Sequence, residues 1–195
     1  MTCREYVRKM THVARLKIRI IDGSFIAIKR ENPYWRAFYA SGYGTDQNDK
    51  LVFHAVEVLY LVYSNKAIVL KNNETLETNE LLKHLKNIAD IWKVYLIYRD
   101  IRERGYNVRV RDDPILPLEV FDRGKNPLQH ESFALVSIAE AAKELELETL
   151  AQAVEKAKKQ GKKLLIALLD ENGDTTYYSV DETLVEDTIL KIYRK

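Results

Sequence analysis

Cysteine is nearly absent from this sequence. Cys3 is the one thiol, so neither an internal disulfide nor a multi-thiolate zinc site can form. Long apolar runs are absent too. The richest stretch, Ala55 to Tyr63, contains Glu57 and is far too short to span a bilayer. The opening Met-Thr-Cys-Arg-Glu lacks the apolar core of a signal peptide, so the expectation is a cytoplasmic protein with no membrane partner. Charge of one sign is also scarce. The net value is only +2, so any RNA contact has to use a local patch. No repeat or low-complexity tract occurs.

What is present suits a packed chain: 46% hydrophobic and 31% charged residues, enough length for two small domains, and no disorder signature. Val13 to Ile21 alternates as a strand, turns at Asp22-Gly23, and returns over Phe25 to Lys29. Gly42 and Gly44 break the next stretch. Lys50 to Tyr63 reads as one helix with Val52, Val56 and Leu59 inward, followed by a strand over Ala67 to Leu70. The chain from Leu81 onward is helical, firmest from Trp92 to Arg104, and stops at Gly105.

Strands are expected at Tyr106 to Arg111, Leu118 to Phe121 and Phe133 to Ile138. A long loop, Asp122 to Glu131, lies between the last two. Glu148 to Lys159 is an amphipathic helix with Leu150, Val154 and Ala157 inward. It is followed by a buried strand, Leu164 to Leu169, an Asn172-Gly173 turn, a returning strand over Thr175 to Val180, and a last strand over Thr188 to Tyr193. The fold class is therefore mixed α/β (α+β) in two small domains, 1–86 and 87–195.

Three segments carry a resemblance. Tyr95-Leu-Ile-Tyr-Arg-Asp-Ile-Arg-Glu-Arg-Gly-Tyr-Asn-Val108 is one. Lys162-Lys-Leu-Leu-Ile-Ala-Leu-Leu-Asp-Glu-Asn-Gly-Asp-Thr-Thr-Tyr-Tyr178 is the second. Ser41-Gly-Tyr-Gly44 followed by Leu51 to Leu61 is the third. In order and spacing they resemble the archaeal tRNA-splicing endonucleases. That resemblance implies metal-free RNA cleavage by a tyrosine, a histidine and a lysine, with no cofactor. Two proton handlers flank the phosphorus and a cation meets the developing charge.

Transferred residue by residue, the trio is incomplete. Glu119-Val-Phe-Asp-Arg-Gly124 places Phe121 where the family has its tyrosine, and a phenyl ring has no oxygen to move a proton. Either His130 or Glu131 takes the histidine's position. Lys162 matches the lysine. The family's arginine on the crossing helix is replaced by Glu155. The expectation is a structural subunit that helps bind precursor tRNA and organises a catalytic partner, two copies of each in a heterotetramer. The alternative is an active subunit leaving 2′,3′-cyclic phosphate ends. Arg123, Lys125, Lys158, Lys159 and Lys163 are the candidate RNA contacts. Asp170, Glu171 and Asp174 form a candidate docking turn, and Ile189 and Ile192 a candidate pairing edge.

Overall fold

The computed structural model describes residues 15–85, 88–144 and 146–180. The chain divides into two compact units, Met1–Ile91 and Trp92–Lys195.

The first unit is built on a six-stranded sheet. Its strands are β1 (Leu16–Ile21), β2 (Ser24–Ile28), β3 (Thr45–Gln47), β4 (Lys50–Phe53), β5 (Ala67–Lys71) and β6 (Glu74–Thr75), in the order β3-β4-β2-β1-β5-β6. The Asp22-Gly23 turn joins β1 to β2 as an antiparallel hairpin with Ile21 opposite Ser24, whereas β5 joins β1 in parallel. Helices α1 (Trp35–Ala40), α2 (Ala55–Tyr63) and α3 (Thr78–Lys83) complete the unit.

The reading of Lys50 to Tyr63 as one helix is corrected here: Lys50–Phe53 is strand β4, and α2 begins only at Ala55. Leu51 and Phe53 are buried on alternate positions, a period of two that the helical pattern absorbs. The break is made by His54. Its Nδ1 accepts the Val56 N–H at 3.2 Å, and Glu57 Oε2 accepts the His54 N–H at 2.9 Å. This reciprocal arrangement satisfies two donors that a helix start leaves open. Glu57 Oε1 also accepts the Gly44 N–H at 3.0 Å. Gly44 has a φ of +68°, and a Cβ there would stand 3.0 Å from Phe53 Cε1. The glycine turn is thus locked to the helix start by one buried carboxylate.

The expectation of continuous helix from Leu81 also gives way. α3 ends at Lys83, the chain turns at His84, and α4 (Ile88–Glu103) starts afresh.

The second unit holds a five-stranded sheet in the order β11-β10-β9-β8-β7. The strands are β7 (Asn107–Val110), β8 (Leu118–Phe121), β9 (Ala134–Glu140), β10 (Lys163–Leu169) and β11 (Thr175–Val180). Among the described residues of this sheet only β9 and β10 run parallel, joined through α5 (Leu147–Lys159). Parallel neighbours need such a crossover. α5 buries Ala153 and Ala157 against Leu116, Leu135 and Leu164, with Leu150 and Val154 packed beside them. On α4, Tyr95, Ile97, Tyr98 and Ile101 are buried. The expected strand over Thr188 to Tyr193, with Ile189 and Ile192, lies outside the described residues. Among the described residues no helix is long and apolar enough to cross a membrane.

Candidate functional site

Lys162 is placed by the end of α5. The Lys162 N–H donates to Ala157 O at 3.0 Å and the Gly161 N–H to Lys158 O at 2.9 Å. This double bond pattern closes a helix with a left-handed residue, and Gly161 supplies it at φ +63°. The backbone of Lys162 is therefore fixed just before β10.

Its side chain points to β8. Lys162 Nζ lies 2.7 Å from Glu119 Oε1, and Ser132 Oγ donates to the same oxygen at 2.6 Å. Lys162 and Glu119 are only 17% and 18% exposed. Burial alone pushes the Glu119 carboxyl up. Hydrogen bonds from Lys162 and Ser132, with the charges of Lys162 and Arg111, overcome that and hold it below the ordinary carboxylate range. At neutral pH Glu119 is therefore a carboxylate, and Lys162 is engaged by it two residues from Phe121.

Phe121 ends β8 and is 2% exposed, opposite Asn107 of β7. The Arg109 guanidinium carbon lies 5.6 Å from its ring centre. After it the chain enters the loop that holds His130. That loop is tied down. Asn126 Oδ1 accepts the Leu128 N–H at 2.9 Å, and Asn126 O accepts the His130 N–H at 3.0 Å. His130 Nδ1 stands 3.2 Å from that same Asn126 carbonyl, and the residue is solvent-exposed beside exposed Glu131. Arg123 stacks its guanidinium 4.8 Å from the Tyr106 ring centre.

A buried arginine connects this loop to α4. Arg102 is 8% exposed. It donates to Tyr98 Oη at 3.1 Å, to Asn107 Oδ1 at 2.8 Å and to Val108 O at 2.6 Å. Asn107 Nδ2 then donates to Lys125 O at 2.7 Å. Lys125 is thereby held through its backbone, while its side chain stays exposed. Nearby on the same helix, Asp100 accepts from Arg104 Nε at 2.8 Å and from Tyr177 Oη at 2.7 Å, linking α4 to β11. Burial and the hydrogen bond to Asp100 drive the Tyr177 hydroxyl well above the ordinary phenol range, so it stays a donor.

Two descriptions from the comparisons with known proteins fit this arrangement. Residues 21–82 match the model of the tRNA intron endonuclease N-terminal domain, and residues 91–177 match the tRNA intron endonuclease catalytic C-terminal domain. A tRNA-splicing endonuclease of Methanothermobacter thermautotrophicus is 30% identical over 156 residues, which cover 80% of this chain and 91% of that protein. The chain belongs to the tRNA intron endonuclease family. A tRNA-splicing endonuclease of Pyrococcus horikoshii is 24% identical across 83% of this chain and 93% of its own length. One from Methanococcoides burtonii is 26% identical, and there the match spans 40% of the longer protein.

Against the family pattern, the structure brings Lys162 and the Phe121 strand together through Glu119. It leaves His130 on the exposed loop. The basic run on and after α5 is largely neutralised: Lys156 pairs with Asp113 at 3.0 Å, Lys159 with Glu155 at 2.6 Å, and Lys162 with Glu119. Lys158 and Lys163 are exposed and help line a cavity of about 520 Å³ together with Lys162 and Ser179. Glu119 is the residue that the sequence reading missed as a partner. Its ion-pair partner is 43 positions away, and no local spacing reports that.

The acidic turn is not uniform. Asp170 Oδ1 accepts the Asn172 N–H at 2.9 Å and the Asp174 N–H at 2.8 Å, so this carboxylate organises the hairpin. Glu171 and Asp174 are the exposed acids of the tip.

Proposed function

We propose that this chain is the structural subunit of a tRNA-splicing endonuclease. It helps bind precursor tRNA and organises a tyrosine-bearing catalytic subunit, two of each in a heterotetramer acting in the cytoplasm. The observation that carries the reading is the state of the trio. Phe121 offers no proton acceptor, and Lys162 is held by Glu119 instead of standing open to a phosphorane. Cleavage at a 2′-hydroxyl needs a base, an acid and an unspent positive charge at once. Lys162 and His130 remain as the vestige of that site.

Exposed Lys125, Lys158 and Lys163 are the residues assigned to tRNA phosphates, joined by Arg123 and Lys159 at the edge. Phosphate contacts of this kind position a nucleic acid without reading its sequence. Glu171 and Asp174, on the turn shaped by Asp170, are assigned to the opposing subunit.

The test is cleavage of an intron-containing precursor tRNA by this chain alone, by a tyrosine-bearing family member alone, and by the mixture. Cleavage that requires the mixture supports the reading. Cleavage by this chain alone, lost in Lys162→Ala, overturns it and makes the chain an active subunit.

A further inference from the structure

The segment between β2 and β3 has no part in the site described above, yet it is built with care. Asn32 is 4% exposed. Its Oδ1 accepts the Lys17 N–H at 2.7 Å, and its Nδ2 donates to Lys17 O at 3.2 Å and Ile28 O at 2.9 Å. The amide side chain thus replaces a strand partner beside β1 and fixes the backbone of 29–35. The Trp35 N–H then donates to Asn32 O at 2.9 Å. Lys29 Nζ sits 4.1 Å from the Trp35 ring centre and is itself held by Asp46 Oδ1 and Asn48 O, both at 2.6 Å. Trp35 is clamped, with Tyr39 at 6.3 Å on the same helix face and the Arg36 guanidinium carbon at 5.5 Å.

What this clamp presents is Tyr34. At 62% exposure it is the most exposed large hydrophobic side chain among the described residues. Arg36, two residues on, and Arg30, four residues before, are exposed as well. From Asn32 to Thr45 the sequence has no aspartate or glutamate. An exposed ring on a rigid backbone loses little freedom when it is covered. With Glu31 paired to Arg19 and Asp46 to Lys29, exposed Arg30 and Arg36 leave positive charge near this ring in sequence, which suits a polyanion with flat bases better than an aliphatic protein face.

We propose that Tyr34 is a stacking platform for an unpaired RNA base, with Arg36 and Arg30 as its phosphate contacts. This places a second RNA-binding surface on the N-terminal unit, and it rests on the reading of the chain as a precursor-tRNA binder. Base-on-tyrosine stacking tolerates any base, so the site grips single-stranded or bulged nucleotides and discriminates against continuous duplex.

The experiment uses the full chain and a fluorescently labelled unpaired RNA ten-mer, read by anisotropy, with a blunt duplex as control. Tyr34→Ala is expected to weaken ten-mer binding about tenfold, Tyr34→Phe to preserve it, and duplex binding to stay unchanged. Arg36→Ala is expected to lower the salt-dependence slope by about one. Equal ten-mer affinity in wild type and Tyr34→Ala overturns the site. So does a Tyr34→Ala variant that loses capture of the catalytic subunit while keeping its RNA affinity. The mixed-subunit cleavage assay reports separately on the structural-subunit reading. Mixture-dependent cleavage with no Tyr34 effect removes the site alone, and a Tyr34 effect without mixture-dependent cleavage removes that reading alone.

Discussion

Glu119 and Lys162 meet at 2.7 Å across 43 positions of sequence, a carboxylate on β8 closing on the lysine that follows α5. Because the Glu119 pKa is depressed below its ordinary 4.5, its contribution is present above that value and fades as pH falls through the lower folded value. Glu119→Gln is expected to cost about 1–2 kcal/mol at pH 7 and less at a pH well below 4.5. Urea melts at the two pH values measure this. An equal loss at both would show that the charge is not what matters.

Restoring the missing hydroxyl is not enough by this reading. Phe121 is almost fully buried, so Phe121→Tyr brings a hydroxyl into the interior, at a cost of about 1–3 kcal/mol. Lys162 stays on Glu119, and the variant alone is expected to leave precursor tRNA uncut. Thermal melts and gel analysis of the RNA check the two halves independently.

Gly161 holds φ +63° at the close of α5 with open space around its α-carbon. Gly161→Ala therefore meets backbone strain and no steric clash. The expected loss is about 1 kcal/mol, and less for Gly161→Asn, which tolerates the left-handed region better. Denaturant midpoints of the two variants give the ranking, and Ala at or above Asn would contradict it.

Arg102 is the one side chain that joins Tyr98, Asn107 and the Val108 carbonyl. Arg102→Met removes a buried cation and leaves those acceptors without it, an expected cost of about 3 kcal/mol. Hydrogen exchange gives the sharper signature. Amides of the 122–133 loop, anchored through Asn107 and Lys125, should lose protection before those of β9. Unchanged loop exchange would mean that the loop is held by its Asn126 turn alone.

The acidic turn separates into two roles. Asp170→Ala removes the acceptor of two backbone N–H groups and is expected to destabilise the hairpin by about 1 kcal/mol. Glu171→Gln with Asp174→Asn leaves that cap in place and is expected to dissociate the mixed assembly. Light scattering on the mixture decides this. An unchanged mass sinks the docking role.

Much of the second unit was legible because its signals are local. Leu164 to Leu169 is a short apolar run ending at Asn172-Gly173, and the strand–turn–strand follows from it. Gly105 ends α4 where the periodic pattern stops. The first unit was less legible. Lys50–Phe53 carries apolar residues that fit a helical stripe as well as a strand, and only the His54–Glu57 cap separates β4 from α2. Helix α1 is too short to show a period, so Trp35–Ala40 was missed. At the candidate site, the sequence singled out Lys162 and Phe121 by their motifs. The Glu119 ion pair and the Arg102 chain to the loop arise from pairings that only the folded sheet creates.

The parallel pairing of β1 with β5 fixes the earliest point in synthesis at which the first sheet can be completed. Leu16 aligns with Ala67, so the middle of the first sheet waits for a strand made about fifty residues later. Until then the β1–β2 hairpin shows one unfilled side. Once residue 75 has emerged, every described strand of that sheet is available while most of the second unit is still unsynthesised. The slow, non-local pairing in the first sheet thus needs no strand from the second unit, and the apolar strand Lys163–Leu169 is made only later.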